Sequence, residues 1–121
     1  MFNQFLNSYL EAAFFTTCLE NEASFSDILP EDLEEMKKEA KDFYEFLLDL
    51  EVDDDDLIMA RKNVWYDVAG RDFWLTRNGH GAGFGDGHWS ERVESALLKE
   101  AHKYNECHIE YEDGKVWFWN R

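Results

Sequence analysis

Residues 20–56 hold sixteen acids against Lys37, Lys38 and Lys41, yet the same stretch carries Leu33, Met36, Ala40, Phe43, Leu47 and Leu50 at spacings of 3, 4, 3, 4 and 3. Only a helix reconciles these two facts. At about 3.6 residues per turn the apolar positions fall on one stripe and the carboxylates on the other side. Pro30 suits the first position of such a helix, and Glu31 and Asp32 suit its electropositive first turn. The stripe covers only about two and a half heptads, too short for a coiled coil, so it must pack on another part of the chain.

That partner is readable. Phe2, Phe5, Leu6, Tyr9, Leu10, Ala13 and Phe14 recur at three- and four-residue intervals, which predicts an amphipathic helix over residues 2–18. One of Asp53 to Asp56 is expected to cap a third helix, with Leu57, Ala60, Arg61, Val64 and Val68 at helical spacing and Gly70 as its stop. Beyond it the period shortens. Phe73 and Leu75 alternate with Asp72, Trp74 and Thr76, and Asn78-Gly79 then predicts a hairpin turn with His80 to Phe84 as the return strand. Ser90 is placed to cap a fourth helix carrying Val93, Ala96, Leu97, Ala101 and Tyr104. Cys107, Ile109 and Tyr111 alternate up to Asp113-Gly114, and Lys115 to Trp119 return as a second hairpin. The expected fold is α+β, in the order ααα-ββ-α-ββ, a small antiparallel sheet packed on helices in a single domain over residues 1–121.

Apolar residues make up 45 % of the chain and aromatics 17 %, too much for a disordered protein. There is no run of 18 apolar residues, so no membrane span is expected. The start Met1-Phe2-Asn3-Gln4-Phe5 lacks the basic flank of a secretory signal. Two cysteines, Cys18 and Cys107, make no disulfide framework and fit a reducing compartment. The net charge of −15 lies almost wholly in the acidic third. Such a field repels nucleic acid and anionic membrane and attracts basic surfaces.

The run Asp72-Phe73-Trp74-Leu75-Thr76-Arg77-Asn78-Gly79-His80-Gly81-Ala82-Gly83-Phe84 resembles a family of small, uncharacterised proteins encoded by bacteriophages and prophages. The likeness extends to Ser8-Tyr9-Leu10-Glu11-Ala12-Ala13, to the acidic second helix and to Asp113-Gly114-Lys115. It implies phage origin and expression in the host cytoplasm, and it brings no catalytic residues and no cofactor.

Two candidate sites stand out. Glu31, Glu35, Glu39, Asp42 and Asp49 share the polar side of the second helix. Along the axis Glu35, Glu39 and Asp42 stand roughly 6 and 4.5 Å apart, comparable to phosphates along one strand. The expected function is therefore a non-enzymatic phage accessory protein that binds a basic host protein, in its sharpest form inhibiting a nucleic-acid-handling or defence factor by charge mimicry. The plainer reading is a solvated face supported by Glu34–Lys38 and Lys41–Glu45 pairs. The second site is the glycine-rich stretch 77–88, where Arg77, Asn78, His80, Asp86 and His88 could meet a phosphate ester or another small ligand, with or without catalysis. Its plainer reading is that the glycines admit large neighbours. His80, Asp86 and His88 match no zinc spacing, and Asp53 to Asp56 lack the ligand spacing of a calcium loop, so no metal is expected. A structural phage component is the remaining alternative.

Overall fold

The structure is a computed structural model, described for residues 1–58, 64–80 and 82–120. Among these residues four helices are followed by one hairpin: α1 (Phe2–Thr16), α2 (Pro30–Asp49), α3 (Trp65–Arg77), α4 (Glu91–Ala101), β1 (Cys107–Glu112) and β2 (Lys115–Asn120). The architecture is α+β, but the order ααα-ββ-α-ββ is wrong. The first expected hairpin is replaced by α3 and an irregular segment, and β1 and β2 are the only strands among the described residues.

The helical stripe of α2 packs as its spacing requires. Met36, Ala40, Phe43 and Leu47 are buried, and Leu33 and Leu50 are half-buried at its ends. α1 buries Phe5, Leu6, Tyr9, Leu10, Ala13 and Phe14. Between them, Phe73 of α3 stacks on Phe43 with ring centroids 4.1 Å apart and 4° between planes. Offset or stacked aromatic pairs add about 0.5–1.5 kcal/mol beyond the area they bury. α1 and α3 cross so closely that a Cβ on Gly70 would overlap the carbonyl oxygen of Phe5. Gly70 is thus a crossing point inside α3 and not the helix stop expected from the sequence.

Asp72, Trp74 and Thr76, expected to alternate with Phe73 and Leu75 along a strand, are buried side chains of α3. Trp74 Nε1 donates to Thr16 Oγ1 (3.0 Å), and Phe84 N donates to Thr76 Oγ1 (3.1 Å). Asn78-Gly79 ends the helix. Gly79 has φ +66°, its N–H donates to Thr76 O, and the His80 N–H donates to Leu75 O, which is a Schellman cap. α1 and α2 close in the same way without glycine: Cys18 (φ 61°) and Glu51 (φ 57°) take the left-handed position, with Leu19 bonded to Phe14 O and Val52 to Leu47 O.

The expected third helix over 57–70 is absent in that form. Ala60 and Arg61 lie outside the described residues, Val64 is the N-cap of α3, and Asp54–Asp56 form a 3-10 turn. The acidic run still caps α3, since Asp54 Oδ1 accepts from the backbone N–H of Trp65 (2.9 Å). Asp56 is buried and anchors α4: it accepts from Ser90 Oγ (2.7 Å) and from Arg92 Nη2 (2.7 Å). Arg92 also donates to the carbonyls of Leu50 and Glu51 beyond the end of α2. The Arg92 bonds hold the Asp56 carboxyl below the ordinary range, against the opposing effect of burial.

The C-terminal hairpin is as expected. Glu112 pairs with Lys115 across Asp113 (φ 53°) and Gly114 (φ 75°), the positive-φ pair of a type I′ turn. Val116 O accepts from Leu29 N (2.9 Å), which ties β2 to the start of α2. Cys107 is buried with Sγ 3.6 Å from Met36 Sδ, and burial pushes its thiol up to about 12. Cys18 is exposed.

Candidate functional site

The acidic side of α2 divides in two. Glu31, Glu35, Asp42 and Asp49 are exposed, and among the described residues no ion pair engages them. The Glu34–Lys38 and Lys41–Glu45 pairs are not formed. Glu34 meets Lys37 at 3.8 Å, and Lys41 Nζ sits 5.3 Å from the Phe2 ring centroid. Glu39 turns inward to Arg77, with Oε1 3.0 Å from Nη1, and its Oε2 accepts from Asn120 Nδ2 (3.0 Å). The field of α2 reaches the turn after α4, where burial foremost, then Asp42, Glu100 and Glu39, push the Tyr104 hydroxyl up to about 12.

Arg77 is consumed by the fold. Its guanidinium donates to Glu39, to the Tyr9 hydroxyl (2.9 Å) and to the carbonyl of Asn105 (3.0 Å from Nε), and it lies over the rings of Phe73 and Tyr104. Burial opposes its charge, but Tyr9 and Glu39 outweigh that and raise its pKa. Asn78 is equally occupied: Nδ2 donates to Trp74 O (3.0 Å) and Oδ1 accepts from Cys107 N (2.8 Å). Asp86 Oδ2 accepts from Gly83 N (3.3 Å) and closes its own turn. The glycine beside it is needed by α3, because a Cβ on Gly83 (φ +118°) would overlap Thr76 Oγ1 and stand 3.0 Å from Asp72 O. The close neighbours are the Thr76 hydroxyl and the backbone of α3, not the aromatics expected.

His88 joins Asp72, a carboxylate with no exposed surface. Asp72 Oδ2 meets His88 Nε2 (2.5 Å) and accepts from Trp89 Nε1 (2.7 Å), while Oδ1 accepts from Arg71 Nη2 (3.2 Å). Such a carboxylate can orient an imidazole for proton transfer. Among the described residues, no nucleophile is hydrogen-bonded to that ring, so the arrangement reads as a satisfied buried hub that pins the 84–90 segment to α3. No group of three or more His, Cys, Asp or Glu side chains among the described residues could hold a metal ion.

Of the glycine-rich set, His80 and Asp86 are exposed, while Asn78 and His88 are half-buried. His80 and Asp86 line a groove of about 1090 Å³ between α1 and α3, together with Glu11, Glu20, Asp67 and Arg71. None of these last four was singled out from the sequence. They come from three separate segments, and no local pattern unites them. Compared with models of known families, with curated proteins and with solved structures, the chain matches none. No helix among the described residues is long and apolar enough to cross a membrane.

Proposed function

We propose that this chain is a non-enzymatic bacteriophage accessory protein that binds a basic protein of its host through the exposed acidic face of α2. The observation that supports this reading is that Glu31, Glu35, Asp42 and Asp49 all face solvent without a basic partner among the described residues, although the same helix contains three lysines. Uncompensated like charge on one helix costs stability through self-repulsion, and solubility needs far less than a net −15. Inhibition of a nucleic-acid-handling or defence factor is the form of the proposal in which the carboxylates stand where phosphates would. The glycine-rich segment is not favoured as a phosphate-ester site, since Arg77 and Asn78 spend their donors internally.

The test is capture from host lysate at low and high salt with the Glu31→Lys/Glu35→Lys/Asp42→Lys variant beside the wild type. Glu39 is left intact because reversing it would set two cations against each other inside the fold. A partner retained by the wild type, released by salt and lost from the folded variant supports the proposal. The same partners on both proteins would overturn it.

A further inference from the structure

The groove between α1 and α3 has a composition unlike the α2 face. Its walls are apolar, from Ala12, Phe14, Phe15, Phe25, Val68 and Leu75, and Phe15 stands 70 % exposed on its lip. Phe15 extends the apolar walls to the surface, and it is contiguous apolar surface, more than single exposed side chains, that marks interaction sites. Its charged lining is Glu11, Glu20, Asp67 and Asp86 against Arg71, and Arg71 is already balanced by the buried Asp72 at 3.2 Å. The groove is therefore an apolar channel with an anionic rim.

Its open side and its charge select among occupants. Small-ligand pockets run to about 1,000 Å³, and the groove, at about 1090 Å³, is open along one side. A helix of about 10 Å diameter and 1.5 Å rise fills such a volume with about nine residues. We infer that the α1–α3 groove docks a cationic amphipathic helix of a partner protein, its apolar face against Phe15, Val68 and Leu75 and its lysines or arginines at Glu11, Glu20, Asp67 and Asp86. Helix-in-groove recognition works this way: the apolar anchors supply affinity, and the rim charges set orientation and on-rate. The surface is independent of the α2 face, which contributes no residue to the groove.

The probe is a fluorescently labelled 14-residue Lys/Leu peptide with leucines at i, i+3, i+4 and i+7, followed by anisotropy. A scrambled peptide of equal composition, a Glu/Leu counterpart and spermine serve as controls. Binding of the amphipathic peptide is expected to weaken at least tenfold in Phe15→Glu and in Glu20→Lys/Asp67→Lys, and to stay within about threefold in Glu31→Lys/Glu35→Lys/Asp42→Lys. The Glu/Leu peptide should not bind, and the scrambled one should bind at least tenfold more weakly. Equal binding of the scrambled peptide, sensitivity to the α2 variant alone, or spermine binding without peptide binding would each overturn the inference. Self-association lost in Phe15→Glu would assign the groove to a second copy of the chain and overturn it as well. Lysate capture that is the same for the wild type and the α2 variant, with peptide binding intact, would sink the α2 proposal and leave the groove standing.

Discussion

Glu39 Oε1 lies 3.0 Å from Arg77 Nη1, across 38 positions of sequence, and this pair draws one residue out of each candidate site suggested by the sequence. An acidic-face carboxylate and a glycine-segment arginine cancel each other where α2, α3 and β2 meet.

Truncating one partner of this pair should be far worse than replacing both. Arg77→Ala leaves Glu39 nearly enclosed without its cation and Tyr9 without its donor, and should destabilise by about 3–5 kcal/mol. Arg77→Met combined with Glu39→Met should recover much of that loss. Urea denaturation of the single and double variants measures the coupling, and additive losses would show that the two side chains do not act as a pair.

Gly70→Ala tests the crossing of α1 and α3. In an isolated helix the substitution gains about 1 kcal/mol. Here the new methyl meets the Phe5 carbonyl, which is backbone and cannot swing aside, so a net loss of about 2–3 kcal/mol is expected. Gly83→Ala should also lose stability, from its left-handed φ and the Thr76 contact together. Thermal melts of the two variants read the result directly.

Much of this was legible and some was not, for physical reasons. α2 and the closing hairpin announce themselves locally: Pro30, the regular apolar stripe and Asp113-Gly114 each admit few structures. α3 hides because it is enclosed on several sides. With Asp72, Phe73, Trp74, Thr76 and Arg77 all buried, no polar face remains to mark a period near 3.6, and the leftover pattern imitates alternation. Asn78-Gly79 is ambiguous by chemistry, since a left-handed glycine serves a helix cap as well as a hairpin turn. The groove and the Arg77–Glu39 pair were unreadable because they exist only after distant segments meet.

Cys18 and Glu51 occupy left-handed helix caps that glycine takes more readily. Cys18→Gly and Glu51→Gly should each raise stability, by up to about 1 kcal/mol, once the entropy cost of glycine is set against the relieved strain. The two sites are on different helices and their gains should add. A fall in midpoint denaturant concentration for either variant would contradict the cap assignment.

Asp56 gives the fold an acid sensitivity with a defined sign. Its carboxyl is held below its unfolded value, chiefly by Arg92, so its contribution is full above about pH 4 and is lost as pH falls through the lower native value. The stability difference between wild type and Asp56→Asn should be constant from pH 7 to about pH 5 and shrink below about pH 4. Taking the difference removes the relief of general self-repulsion that the other acids undergo on protonation.

The sulfur pair at the α2–β1 junction equips the protein with its own clock. Cys18, in the open, should consume a thiol reagent at once. Cys107, pressed against Met36 and pushed up to about 12 by burial, offers almost no thiolate at neutral pH. It becomes reactive only in molecules whose hairpin has come away from α2. In Cys18→Gly, which should be at least as stable as the wild type, the rate of modification becomes a single-site record of how often that seam opens, and an occupied binding surface that braces it would slow the clock without touching the thiol.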